Sequence, residues 1–211
     1  MEQVVHITTI TADTHFGHGN IIRYTRPHLL SCGDLTSDGR WVSKEIKNLR
    51  TRQMDDLLID NWNSVVEPSD NVLHLGDFAF DNVESYLKRL NGHIYFVTGN
   101  HDRQMLDYIH RHKQNKVTHL GNLDNIKTEL FSATVCHFAM RVWNRSHYGQ
   151  YHLYGHSHGN LPETNDSLSM DVGVDAAFKR FGKLRPFTIL EIHEMLNKRT
   201  FVPIDHHGLR N

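Results

Sequence analysis

A run of β-favouring residues, 93–98, gives way to Gly99 and then at once to Asn100, His101 and Asp102. An amide, an imidazole and a carboxylate in a row, directly after a strand, put three metal-capable or proton-transferring groups at one sheet edge. Open α/β sheets carry their chemistry at such strand ends. Alone, the stretch reads equally well as a turn, because Asn and Asp after Gly are ordinary turn residues. Its weight comes from four other strand ends in the chain that finish in the same kind of residue.

Residues 4–12 are rich in Val, Ile and Thr and read as a strand, which ends in Asp13, Thr14, His15, Phe16, Gly17 and His18. Asp13 and His15 are two apart and suit hard or borderline cations through oxygen and nitrogen. The plainer alternative is an Asp-initiated turn with a stray histidine. Residues 71–75 form a short apolar strand that ends in Gly76 and Asp77. Residues 131–136 run into His137. Residues 151–154 run into Gly155, His156, Ser157, His158 and Gly159, where two histidines bracketed by glycines make a strong ligand pattern.

Between these ends the helices are marked by pattern. One begins between Ser43 and Thr51, with Ile46, Leu49, Met54, Leu57, Leu58 and Trp62 roughly on one face as a core stripe. Asp81 and Glu84 have the spacing of a capping box opening a helix to about Leu90, and Thr188 and Glu191 that of a second, opening a helix to about Lys198. A further helix follows Asp102. The strand–helix–strand order across residues 71–98 suggests a βαβ unit, and residues 168–174 read as a strand carrying Asp171, with Asp175 just beyond. Residues 20–42, with Pro27, Gly33, Gly39, Arg23, Arg26 and Arg40, are long for a connection and read equally as functional or as solvated surface. Residues 138–154 contain no acid and interleave Arg141, Trp143, Arg145, His147, Tyr148 and Tyr151. Such a segment can hold a phosphate and stack a base, or can be a hairpin whose aromatics pack across strands.

Composition limits the alternatives. The 211 residues show no linker, so a single domain over residues 1–211 is expected. A net charge of −1 gives no global attraction to nucleic acid or a membrane. Two cysteines, Cys32 and Cys136, argue against a disulfide framework or a thiolate metal site. The first residues lack the basic and apolar regions of a signal peptide, and no apolar run approaches the roughly 20 residues of a membrane span, so a cytoplasmic location is expected. The unusual entry in the composition is 18 histidines, the residue that most often ligates metals and moves protons near neutral pH.

Asp13, His15, Asp77, Asn100, His101, His137, His156 and His158 are too many ligands for one metal and about right for two. Carboxylate, amide and imidazole donors favour Mn, Fe, Ni, Co or Zn. The motifs Asp13-Thr14-His15, Gly76-Asp77, Gly99-Asn100-His101-Asp102, His137 and Gly155-His156-Ser157-His158 resemble, in order, the five motifs of the calcineurin-like metallophosphoesterases. The extended first motif, through His18, is similar to that of small bacterial and phage members.

This resemblance implies an α/β fold, a β-sandwich of two mixed sheets flanked by helices, with the metals at the C-terminal strand edge. It implies two divalent cations, manganese first among them. One would be held by Asp13, His15 and His158, the other by Asn100, His137 and His156, with Asp77 bridging. His101 would protonate the leaving oxygen, Asp102 would orient His101, and a metal-bound hydroxide would attack phosphorus in line. His18 and Arg141 are the candidate substrate contacts. The second motif, Gly76-Asp77-Phe78-Ala79-Phe80, lacks the Gly-Asp-x-x-Asp-Arg-Gly of the protein phosphatases and so argues against a phosphoprotein substrate. The expected activity is hydrolysis of a small phosphodiester or nucleotide. Phosphomonoesterase, nuclease and non-catalytic metal-binding scaffold are the alternatives, and nucleic acid is the less favoured partner.

Overall fold

Two sheets lie face to face, with helices flanking them. The computed structural model describes residues 6–112, 116–202 and 204. The strands are β1 (Thr9–Thr11), β2 (Asn71–His74), β3 (His93–Val97), β4 (Val117–Gly121), β5 (Leu123–Lys127), β6 (Ser132–Cys136), β7 (Tyr151–Tyr154), β8 (Ser169–Asp171) and β9 (Phe187–Thr188). The helices are α1 (Ile21–Tyr24), α2 (Lys44–Asn63), α3 (Val83–Arg89), α4 (Arg103–Arg111), α5 (Val174–Phe181) and α6 (Ile189–Leu196).

One sheet has the order β4-β3-β2-β1-β9, the other β5-β6-β7-β8. Strands β1 to β4 pair in parallel and β9 joins β1 antiparallel. In the second sheet β5 is antiparallel to β6, while β6, β7 and β8 are parallel. Both sheets are therefore mixed, and both send the C-terminal ends of their parallel strands toward one edge.

The alternation of a strand decides which core each residue enters. Val72, Ile94 and Phe96 point to the helical side, where they meet Met54, Leu58 and Trp62 of α2, Leu87 of α3 and Met105 of α4. Leu73 and Val97 point the other way, into the layer between the sheets, with Ile10, Ala133, Val135, Leu153, Met170 and, from α6, Ile192 and Leu196. Strands covered on both faces carry continuous apolar runs, and so residues 71–75 and 93–98 are legible as strands.

Local signals set the helix ends unevenly. The Ser43 hydroxyl accepts the Ile46 N–H and starts α2 at Lys44. The expected capping box at Thr188 and Glu191 is present, with both reciprocal bonds formed. The one expected at Asp81 and Glu84 is absent: α3 is capped by Asn82 in a left-handed conformation, with no side-chain cap. Asp81 instead accepts a bond from the Tyr86 hydroxyl, and Glu84 pairs with Lys88 at 2.7 Å. The expected stripe on α2 is also corrected. Leu49 and Leu57 are exposed at 42% and 38%, while Asp55 and Ile59 join Met54, Leu58 and Trp62 in the buried set.

The expected strand over 4–12 is observed only as β1, and residues 1–5 lie outside the described ones. Residues 138–150 form no hairpin but a loop with a short 3-10 turn over Ser146–Tyr148. Within it, Trp143 is buried and donates to the Gln150 carbonyl at 2.7 Å. No helix among the described residues is long and apolar enough to cross a membrane.

Trp62 is 1% exposed and its indole donates to the Asn91 carbonyl at 3.0 Å. Trp62→Ala should lower stability by about 3–5 kcal/mol, whereas Leu49→Ala should change it by no more than about 1 kcal/mol. Urea denaturation of the two variants checks the corrected stripe.

Candidate metal centre

The pairing of β1 with β2 continues past both strand ends. The N–H groups of Asp13, His15 and Phe16 donate to the carbonyls of Gly76, Asp77 and Phe78 at 3.0, 3.0 and 2.9 Å. This holds the first motif beside the second. A Cβ on Gly76 would sit 2.4 Å from the Gly99 nitrogen, so the absence of a side chain there lets the end of β3 close in. The Gly155 N–H donates to the His137 carbonyl at 3.0 Å and joins the ends of β6 and β7.

The resulting backbone is strained in a telling place. Among the described residues, seven that are not glycine have positive φ, and five of them are Asp13 (58°), His15 (50°), Asp77 (58°), His156 (65°) and His158 (50°). Each such residue costs on the order of 1–3 kcal/mol, and strain of this kind gathers at functional sites.

The side chains form two groups. Asp13, His15 and His158 offer donor atoms within 4.8 Å of one another, and so do Asp77, His137 and His156. Asp77 lies between the groups: its Oδ2 is 3.6 Å from His15 Nε2 and 3.5 Å from His137 Nε2. Its Oδ1 accepts the His101 N–H at 2.9 Å. Asn100 Oδ1 sits 3.0 Å from His137 Nε2 and 3.1 Å from His156 Nδ1. His137 Nδ1 faces the Leu75 carbonyl at 2.7 Å and must donate to it. In the neutral ring, the Nε2 lone pair therefore faces the oxygens of Asn100 and Asp77.

Converging lone pairs need a proton or a cation between them. His15 makes the point most directly, because both of its ring nitrogens are buried without a hydrogen-bond partner, a rare condition for buried polar atoms. Oxygen and imidazole donors without a thiolate fit a hard or borderline divalent cation.

The electrostatics agree. Burial pushes the Asp13 carboxyl up to about 7 and holds His15 well below the ordinary histidine value. Burial also opposes charge on His137, but its hydrogen bond to Asp77 and the charges of Asp13 and Asp77 carry it up to about 9. Burial works against an ionised Asp77 too, yet His137 and His101 keep its carboxyl below the usual range.

A second layer fixes these donors. Asp175 Oδ2 lies 2.7 Å from His158 Nδ1, which leaves His158 Nε2 for the site. Asp175 is gripped in turn by the fully buried Arg26 at 2.9 and 3.1 Å, and Arg26 also donates to the carbonyls of Asp13 and Thr14 at 2.6 and 3.1 Å. Asp171 accepts the N–H groups of Gly159 and Gly173 at 2.7 and 2.8 Å and shapes the loop that carries His158. The sequence marks Arg26 and Asp175 only as a loop cation and an acid near a strand; no spacing links residues so far apart.

The expected role of Asp102 is corrected. Its carboxylate accepts the N–H groups of Asp77, Phe78 and Gly99 at 2.7, 2.8 and 2.6 Å. It is buried beneath the second and third motifs and positions their backbone, and its bonds go to amides rather than to the His101 ring.

At the mouth, Asn100, His101 and His156 are exposed. The His101 ring lies 6.2 Å from that of His15 and 5.2 Å from Phe80. His18 stacks on Phe80 at 4.0 Å, and burial lowers it to about 4, so it is neutral at physiological pH. Arg141 instead lines a separate cavity of about 310 Å³ with Trp143, Asp166 and Phe201.

The family model of the calcineurin-like phosphoesterase superfamily domain matches residues 55–194, well over half of the chain, and the chain belongs to that family of metal-dependent phosphoesterases. The matched span holds Asp77, Asn100, His137, His156 and His158; Asp13 and His15 lie outside it and join through geometry. An uncharacterized protein of Methanocaldococcus jannaschii is 33% identical over 99 residues, 44% of this chain and 46% of the relative, so the match spans less than half of that protein. The crystal structure of a protein of unknown function from Aquifex aeolicus superposes with a TM-score of 0.57 over 90% of this chain and 100% of that one. At 17% identity it supports the fold alone.

Asp175→Asn should leave the buried Arg26 charge uncompensated, lowering stability by about 3–5 kcal/mol, and should weaken divalent-cation affinity about 10–100-fold through His158. Denaturant unfolding and a competitive Mn²⁺ titration read the two effects separately. Cation binding needs His137 and Asp13 deprotonated. Affinity should therefore fall as pH drops below about 9, where His137 holds a proton, and more steeply below about 7, where Asp13 does too. Titrations between pH 6 and 9 check the sign and the break.

Proposed function

We propose that the chain hydrolyses a phosphodiester, a nucleotide or another small diester, with two divalent cations, manganese the first choice. The observation that carries this reading is the placement of Asp77 Oδ2 between His15 and His137, members of two separate donor groups. A carboxylate oxygen shared in this way suits two cations held close together, which repel unless an anion lies between them. Asp13, His15 and His158 would hold one cation, Asn100, His137 and His156 the other, with Asp77 common to both. Such a pair supplies Lewis acidity for in-line displacement at phosphorus.

The protein's own part is positional and protonic. Asp102 and Arg26 fix the backbone of the motifs, Asp175 sets the His158 ring, and the Leu75 carbonyl sets that of His137. His101 stands at the mouth with its backbone N–H tied to Asp77, free to give a proton to the departing oxygen. His18 is neutral and stacked on Phe80, so it offers a hydrogen bond without a second charge. A neutral His18 suits the single charge of a diester better than the double charge of a monoester.

The test is hydrolysis of bis(p-nitrophenyl) phosphate beside p-nitrophenyl phosphate, with Mn²⁺ and with chelator. Diester turnover abolished by chelator is expected; monoester turnover alone would make the chain a phosphatase, and no turnover with full metal loading would return it to a binding scaffold. His101→Ala should lower kcat by about 10²–10⁴ for a diester with an alkoxide leaving group. The loss should be smaller for p-nitrophenolate, which leaves without a proton, and two Mn²⁺ should still bind.

A further inference from the structure

We infer that Phe138 is a stacking platform for a planar aromatic group on the ester that stays attached to phosphorus, so that the substrate is a diester with a nucleobase or aryl ring on that side. The inference rests on the proposed diesterase activity and names its substrate class.

Two phenyl rings flank the mouth, and they differ in what their faces do. Phe80 is committed. It stacks on His18 at 4.0 Å and 21° and on His15 at 5.4 Å and 25°, and it also touches His101. Phe138 follows His137 directly and is 47% exposed. It meets His137 edge-on at 5.1 Å and 78° and His156 at 4.7 Å and 60°. Neither contact is parallel, so neither imidazole is stacked on the phenyl, and the residue keeps nearly half of its surface open. An exposed phenyl held in this way, beside the exposed His156, presents a π surface to whatever enters. Stacking on such a surface accepts any base or aryl ring.

Position decides which ester group lies there. His101, the group that would protonate the leaving oxygen, is on the Phe80 side, 5.2 Å from that ring. Phe138 is at the other donor group, against His137 and His156. In an in-line displacement the leaving group departs toward its proton donor. The ring over Phe138 then belongs to the ester that is retained.

Three diesters with one leaving group test this: thymidine 5′-(p-nitrophenyl) phosphate, bis(p-nitrophenyl) phosphate and methyl p-nitrophenyl phosphate. For Phe138→Leu, the kcat/KM of each ring-bearing ester relative to the methyl ester should fall about tenfold, mainly through KM. Phe138→Tyr should restore the ratio, and Mn²⁺ content should match the parent protein. A ratio that falls for thymidine alone, or for the aryl ester alone, identifies which ring the platform takes. Equal loss on all three esters, or no loss on any, overturns the inference. Failure of the parent protein to hydrolyse any of the three would instead overturn the diesterase reading beneath it.

Discussion

The buried pair of Arg26 and Asp175 is the interaction on which the rest of the site depends. One guanidinium with no exposed surface holds the carbonyls of Asp13 and Thr14 and both oxygens of Asp175, and Asp175 holds His158. Three parts of the chain that share no secondary structure are thereby fixed to one another: the long segment after α1, the end of β1 and the start of α5. A buried ion pair is poor evidence of net stability, because desolvation offsets much of its Coulomb energy. Its value here is specificity of arrangement. An apolar pair of the same volume would fill the space, but it would leave the carbonyls of Asp13 and Thr14 without donors and the His158 ring free to turn.

Fixing of this kind is required because the backbone at the site is not at rest. Asp13, His15, Asp77, His156 and His158 all hold left-handed conformations that L-residues disfavour. Hydrogen bonds aimed at the same short loops oppose that strain. Asp102 takes three amides of the second and third motifs, Asp171 takes two beside His158, and the Asp13 carboxylate itself accepts the His156 N–H at 3.0 and 2.9 Å. Carboxylates thus serve twice, some as donors to the site and some as clamps on the loops that present those donors.

The division between these two jobs is where the sequence becomes hard to read. Residues at strand ends announce themselves, because a strand of Val, Ile, Leu and Phe that breaks at glycine into Asp, Asn or His changes chemistry within one or two positions. The seven candidate ligands meet in space for that reason. Asp102 also sits at such a break, in sequence next to His101, and the partnership that the resemblance implies is not made in the fold; its carboxylate turns inward to amides instead. Arg26 and Asp175 carry no local mark, since their meaning depends on a contact between residues far apart in the chain. Strands β4 and β5 were equally silent. Leu123–Lys127 alternates exposed and half-buried residues at a sheet edge, a pattern polar enough to pass for loop. The two capping boxes show the same limit on a smaller scale. Thr188 has the extended backbone that lets its hydroxyl reach the Glu191 amide, whereas Asn82, left-handed at φ 35°, closes off that geometry and frees Asp81 for Tyr86.

The charges of the donor set connect the arrangement to the reaction. Of the seven candidate ligands only Asp13 and Asp77 are acids; the rest are imidazoles and an amide. Two carboxylates cannot neutralise two divalent cations, so a loaded centre would keep an excess of positive charge in a largely buried setting, where electrostatic interactions are stronger than in water. An anionic phosphoryl group is the natural complement to that excess. Without a cation the cluster gathers protons for two reasons: burial raises Asp13 to about 7, and the carboxylates of Asp77 and Asp13 overcome burial to raise His137 to about 9. A neutral aromatic rim of His18, Phe80 and Phe138 adds no further charge. On the proposed reading, selectivity at the mouth would fall to shape and stacking, and binding of the phosphoryl group to the centre below.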